Sequence, residues 1–374
     1  MKRNFSILLL TLATLNNYAM EQNPSNTNNI KKDTTQDTPE HQLKLRQQLI
    51  DFAVINMLKA RGLQIVAEYN IADHLTNGPK SSHELADSCG LHQSSLHRLL
   101  SMLASHGIFT QDEQGKFSLT ELSSLLVSNA PYSIGAYTKT PDNYWWDTIR
   151  DLDHSIKTGE SSFEKKHSGT TFWQALGDSP EHGQRFAAGM GNYSQPENEV
   201  FASIIDCTPF KTVVDVGGGK GDLVKALLTR NKQLRGTLFD LDHVTKQAEP
   251  ADRLQIASGD FFKSVPAGAD AYILKRVLLD WDDAKATEIV HVIRTAMHPE
   301  SKLFIMDGII TGQNQRDVAK DFDILMLGLF AGKHRTQNDF ETMLSKVDLE
   351  ISSIKPTSFG ISIIETSPRN RIQA

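Results

Sequence analysis

The sequence predicts an α/β protein, a doubly wound sheet in the carboxyl-terminal half preceded by a small helical domain. Three observations carry this. From Thr212 onward, short β-branched runs alternate with segments of helical period, which builds a sheet with helices on both faces. The first run, Thr212-Val213-Val214-Asp215-Val216, opens into Gly217, Gly218, Gly219 and Gly221, a turn tight enough to let backbone approach a ligand. Before residue 130, apolar residues recur at helical rather than strand spacing.

Taken in order, Lys2 and Arg3 precede an apolar run over residues 5–15 and then Ala19, so residues 1–19 have the form of a secretory signal too short to span a bilayer. Residues 20–42 are polar, Asn- and Thr-rich, and read as a disordered linker. Residues 43–135 predict a winged-helix domain. Its helical spacing runs through Leu49, Phe52, Ile55, Leu58, Leu63, Val66, Ile71 and Leu75. Ser81 and Glu84 have capping-box spacing for a helix that Gly90 ends, and residues 94–103 form the next. Ile108-Phe109, a turn at Gly115 and Phe117-Ser118-Leu119 then make a hairpin. A winged helix raises the rival reading of DNA binding. Here Arg98 is the only strong base on the candidate recognition helix, and the net charge is −6 with a pI near 6.1. Phosphate contact needs several cations, so neither nucleic acid nor an anionic membrane is an expected partner.

Residues 136–200 are connecting helices rich in aromatic side chains, among them Tyr137, Tyr144, Trp145, Trp146, Phe163, Phe172, Trp173 and Phe186. They could be core, or could hold a flat ligand. Residues 201–367 hold the sheet, and 368–374 are a tail. After the glycine loop, a second strand ends in Asp240, a third in Gly259-Asp260-Phe261 and a fourth in Lys275. A helix over 284–296, a strand over 303–306, a helix over 318–330 and strands near Ile351 and Ile361 complete the domain.

Spacing narrows the ligand. Asp222 stands where a G-x-G-x-x-G fingerprint needs Gly or Ala, leaving D-x-G-x-G-x-G, which cradles the amino-acid end of S-adenosylmethionine. Asp240, roughly 20 residues on, is placed to accept ribose hydroxyls, although it could instead cap the next helix. Asp260 and Phe261 could likewise be an ordinary strand end. Two cysteines, Cys89 and Cys207, make neither a disulfide framework nor a zinc site, and thirteen histidines include no H-E-x-x-H. Asp282 and Asp283 precede a helix as its cap and first turn, so no metal is expected.

Over roughly residues 45–367 the chain resembles the plant-type and bacterial small-molecule O-methyltransferases, the family of caffeate, acetylserotonin and anthracycline-type enzymes. VVDVGGGKGDL, LFDLDHV, SGDFFKSVPAGADAYILKRVLLDWDD and GKHRTQNDF stand in the family's order. The resemblance implies a Rossmann-like methyltransferase sheet, a homodimer formed by the winged-helix domain, S-adenosylmethionine as cofactor and a small-molecule acceptor. By that likeness Gly217 faces the cofactor, Asp240 takes the ribose, Asp260 and Phe261 frame the adenine, Lys275 touches polar cofactor atoms, and Ser194 lies near the methionine carboxylate. Met190 and Trp281 fall beside the acceptor. The cofactor is made in the cytosol, which conflicts with an export signal at residues 1–19.

One departure matters for the chemistry. The family's base is the His of L-H-D-W; here the run is Leu278-Leu279-Asp280-Trp281, and Leu279 accepts no proton. The two acidic positions that orient the base are Asp307, shorter than the usual Glu, and His334. These two are the catalytic candidates, His334 either as a displaced base or as lining only. A phenol of pKa ~10 is ionised about one part in a thousand at pH 7, a handicap of roughly 4 kcal/mol. A positioned base contributes about 10²–10⁴-fold, the same size. Without one, proximity could still methylate an acidic hydroxyl of an aromatic or polyketide-like molecule. The alternatives are a cofactor-binding relative turned to hydroxylation or decarboxylation, or a non-catalytic binding or regulatory dimer.

Overall fold

A computed structural model describes residues 38–369; the signal-like segment and most of the linker lie outside that range. Among the described residues no helix is long and apolar enough to cross a membrane. The chain divides into two units at Ala60 and Arg61.

The first unit begins with a helix, Pro39–Ile50, so residues 39–42, expected in the disordered linker, are ordered instead. The reason is local: Thr38 Oγ1 accepts from His41 N at 3.2 Å, and Pro39 pre-sets the first turn. A π-helical turn, Asp51–Ile55, leads into the helix Asn56–Glu68. Leu43, Leu49, Phe52 and Met57 are exposed along this unit.

The second unit opens with the winged helix. Ser81 and Glu84 form the expected capping box on the helix Ser82–Cys89, and Gly90 ends it at φ +66°. The helix Gln93–Ser105 follows, then an antiparallel hairpin of β1 (Phe109–Gln111) and β2 (Phe117–Leu119). Leu85, Leu100, Leu103, Phe109 and Phe117 form its core. The connecting helices bury Trp145, Phe163 and Phe172 against Leu329, so these aromatic residues are core. The last connecting helix, Pro180–Ile204, runs unbroken past residue 200, where a domain boundary was expected.

Seven strands make the large sheet: β3 (Thr212–Val216), β4 (Arg235–Asp240), β5 (Leu254–Ser258), β6 (Ala271–Lys275), β7 (Lys302–Asp307), β8 (Leu349–Pro356) and β9 (Ser362–Pro368). Their order is β5-β4-β3-β6-β7-β9-β8. The first five are parallel; β9 runs antiparallel to both neighbours. Strand alternation divides the core between two faces. Val213 and Ile273 pack with Leu227 and Phe304 on one, Val214 and Tyr272 with Ile289 and Phe340 on the other. Each fully buried Leu, Ile or Phe there contributes about 1.5–3 kcal/mol. Strand order reverses between the parallel neighbours β3 and β6, which opens a crevice at the carboxyl ends of the strands.

Candidate functional site

The glycine loop sits in that crevice. Gly217 has φ +69°, and a Cβ there would come within 2.9 Å of Val277; its N–H donates to Phe239 O at 2.8 Å. A Cβ on Gly218 would lie 2.6 Å from the Asp215 carboxyl carbon. Gly219, at φ +62°, turns its N–H onto Asp240 Oδ2 at 2.8 Å. Gly221 at φ +80° starts the helix Asp222–Arg230. Side chains are thus sterically barred at Gly217 and Gly218, while Gly219 faces open space.

Asp240 also accepts from Leu241 N at 2.7 Å. Burial pushes its carboxyl above the usual range, opposed by the Gly219 and Leu241 N–H groups. Asp215 is 1% exposed, its Oδ2 has no partner among the described residues, and burial pushes it up to about 7. Gly259 N donates to Asp240 O at 3.0 Å, which sets Asp260 and Phe261 beside the same strand end. Asp260 Oδ1 takes the Phe262 N–H at 3.0 Å, and Trp281 packs edge-to-face on both Phe261 and Phe262, with Phe262–Trp281 centroids 4.8 Å apart. Trp281, expected beside the acceptor, therefore packs with the residues expected around adenine.

The helix Pro180–Ile204 closes one side. A Cβ on Gly191 would be 4.0 Å from Asp222 Oδ2, at the start of the helix after the glycine loop. Met190, Ser194 and Asn198 follow at helical i,i+4 spacing on one face. Asn198 Oδ1 accepts from Lys275 Nζ at 2.5 Å, and Glu197 Oε2 lies 3.5 Å from the same ammonium. Burial lowers Lys275 to about 8, with Glu197 opposing. Lys275 stands at the expected edge, but its ammonium is engaged with this helix.

The next residue carries no local sequence signal of a site role. Arg276 follows β6 at φ +54°, a left-handed conformation that costs a non-glycine residue about 1–2 kcal/mol. Its N–H donates to Met306 O at 2.9 Å. The guanidinium grips Glu197 at 2.6 and 3.3 Å and lies 4.8 Å from the Tyr193 ring centroid; Tyr193 stacks on Tyr137 at 4.5 Å. Glu197 is 2% exposed, although nothing local in N-Y-S-Q-P-E-N marks it as a buried ion-pair partner.

Leu279, on the short 3-10 turn Leu278–Asp280, is 6% exposed. Next to it in the fold lie two buried carboxyls. Burial raises Asp307 to about 6, against the backbone N–H groups of Gly308 and Leu279. Burial and the Asp307 charge raise Asp280 well above the usual range. His334 is 7% exposed, its Nδ1 has no hydrogen-bond partner among the described residues though Asp323 Oδ1 lies 4.0 Å away, and burial followed by the Arg276 charge lowers it to about 4. It approaches Gly308, whose Cβ would meet His334 Cδ2 at 2.7 Å. His334, Arg276, Tyr193, Gly308, Val318 and Phe322 line a small cleft. A cavity of about 490 Å³ lies at the amino ends of the strands instead, near Asp270, His298 and Lys302, away from the glycine loop. Asp282 caps its helix by accepting from Lys285 N at 2.9 Å, and Asp283 pairs with Lys333 at 2.7 Å and Arg335 at 3.0 Å.

Comparison with known proteins adds the chemistry. Residues 149–348 match the model of an O-methyltransferase domain, and residues 53–129 that of an O-methyltransferase dimerisation domain. The chain is 33% identical over 350 residues to the mitomycin biosynthesis 6-O-methyltransferase of Streptomyces lavendulae, covering 89% of this chain and 99% of that one. It is 34% identical over 315 residues to a phenazine O-methyltransferase of Lysobacter antibioticus, covering 82% and 92%. A solved O-methyltransferase from neocarzinostatin biosynthesis, in complex with S-adenosylmethionine and 2-hydroxy-5-methyl naphthoic acid, superposes with a TM-score of 0.73 at 29% identity, over 83% of this chain and 96% of that one.

Proposed function

We propose, from the premise that this chain belongs to the S-adenosylmethionine-dependent O-methyltransferases, that it methylates a hydroxyl on a flat aromatic or polyketide-like molecule, largely by positioning. The observation that carries this reading is the glycine loop closed on Asp240 at the sheet's switch point. The loop fits the cofactor: Gly217 and Gly218 leave no room for side chains. In this reading Gly217 and Ser194 meet the amino-acid end, Asp240 the ribose, and Asp260 with Phe261 the adenine. Lys275 acts through Asn198 and Glu197, and Met190 lies on the acceptor side.

When bound, S-adenosylmethionine supplies an electrophilic methyl group on a sulfonium. The protein's task is to hold the acceptor oxygen behind that methyl, with water excluded. Leu279 contributes an apolar wall and no proton acceptor. Asp307, raised to about 6, is the better-matched proton acceptor near neutral pH; His334, lowered to about 4, lines the cleft.

A homodimer is part of the same proposal. Leu49 is 69% and Phe52 77% exposed, and a run of such residues marks a surface that another chain covers. The dimerisation-domain match from residue 53 supports a second copy as that chain.

The test is incubation with methyl-labelled cofactor and a panel of aromatic hydroxy compounds, with products identified by mass. A single added methyl on oxygen is expected. Addition of oxygen or loss of carbon dioxide would support the hydroxylase or decarboxylase alternative, and cofactor binding without turnover on any acceptor the non-catalytic one.

A further inference from the structure

Among the side chains that line the cleft, Arg276 alone carries charge near neutral pH; Tyr193, Val318, Phe322, Phe359 and Ile361 give it aromatic and apolar walls, and His334 is neutral. Arg276 uses Nε and Nη2 on Glu197, while Nη1 has no partner among the described residues. Glu197 is shared with Lys275, so one carboxylate serves two cations. Burial favours the neutral form of Asp280, so it offsets the guanidinium less than an ordinary aspartate would. The strained backbone at φ +54° and the Tyr193 ring at 4.8 Å hold the guanidinium in place.

We propose that Arg276 recognises the acceptor as an anion, holding through Nη1 an oxygen on a flat aromatic ring, either a carboxylate or the ionised hydroxyl itself. This deepens the methyltransferase reading and rests on it. Arginine suits the task because its planar fork binds Glu197 on one edge and offers the other to a ligand. If the oxygen is the reacting hydroxyl, its proton passes to solvent on binding. The oxygen–carbon bond then forms as the carbon–sulfur bond breaks, and the electron pair stays on sulfur. That sequence removes the need for a base at Leu279.

Three probes distinguish the sources: a naphthoate, a nitronaphthol ionised near neutral pH, and an unsubstituted naphthol. Binding to the full-length protein saturated with S-adenosylhomocysteine is measured by calorimetry. Wild type is expected to favour at least one anion over the neutral naphthol by about tenfold or more, the scale of a charge-assisted hydrogen bond. Preference for the naphthoate identifies a carboxylate; preference for the nitronaphthol identifies the ionised hydroxyl. Arg276→Met should erase the preference, and Arg276→Lys should retain part of it. Because Arg276→Met leaves Glu197 with one cation, the double variant Arg276→Met/Glu197→Gln keeps the charge balance, and S-adenosylhomocysteine affinity reports intact folding. No anion preference in wild type, or a preference that survives in the folded double variant, overturns the proposal. Anion selectivity without methyl transfer to any acceptor would overturn the activity reading alone.

Discussion

Asp240 and Gly219 are joined by a 2.8 Å hydrogen bond from the glycine N–H to Oδ2, so the end of one strand fixes the loop that follows its neighbour. Asp240→Ala removes both that clamp and the carboxylate proposed to take the ribose. S-adenosylmethionine affinity should fall by about 1.5–3 kcal/mol, the usual scale for a lost charge-assisted bond. Calorimetry giving undiminished affinity would rule out the ribose assignment.

Gly218→Ala tests the loop sterically. The new methyl would sit 2.6 Å from the Asp215 carboxyl and 2.7 Å from Leu238, so the loop must shift. Cofactor affinity should drop by tenfold or more, while Gly219→Ala, with no atom within 4 Å of its Cβ, should suffer mainly from its φ of +62°. Equal, small effects at both positions would mean that the cofactor does not use this loop.

His334→Gln addresses the displaced base. An imidazole lowered to about 4 stays neutral from pH 5 upward, so it cannot give a pH limb in the neutral range. Turnover should fall by much less than the ~10²-fold loss of a true base. A loss of that size under conditions where methyl transfer limits the rate would restore His334 to a catalytic role.

Asp307 makes a prediction about stability. Its folded pKa, about 6, exceeds the ordinary carboxylate value near 3.9, so the folded state holds the proton more tightly. The resulting stabilisation is complete below about pH 4 and is lost as pH rises through about 6. Asp307→Asn escapes that loss, and should gain up to about 3 kcal/mol on wild type between pH 4 and pH 8. Denaturant melts that show the same difference at both pH values would count against it.

Phe52→Glu probes the dimer. Phe52 is 77% exposed, and a charge there should disfavour burial against a second chain. Sedimentation should show a shift towards monomer; an unchanged wild-type dimer would place the interface elsewhere.

Much of the fold was legible because its signals are local. The capping box at Ser81 and Glu84, the β-branched run into Gly217 and the helix Val318–Phe330 are each written in adjacent residues. The early helix start was also local, in Thr38 and Pro39, but the polar composition around it masked the cap. The glycine loop and Asp240 could be picked out from spacing, while roles for Asp260, Phe261 and Lys275 came only with the family resemblance. Arg276 could not: its partner Glu197 lies 79 residues away, and only the left-handed turn after β6 together with the course of the helix Pro180–Ile204 brings them into contact. The influence of the Asp307 charge on Asp280 is hidden for the same reason, since neither carboxyl signals burial near another in its own segment.

The position of β9 bears on how the molecule assembles. It follows β8 in the chain yet lies inside it, with Ser362 paired to Asp307 on one side and to Pro356 on the other. Until β9 inserts, β7 has a bare outer edge and β8 has no neighbour to join. Sheet growth therefore cannot keep pace with synthesis, and two strands with unpaired edges await the last one. The final closure is a long-range pairing, which is slow, and it completes the strand that carries Asp307. Completion of the sheet around Asp307 and protection from edge-to-edge aggregation thus arrive in the same folding event.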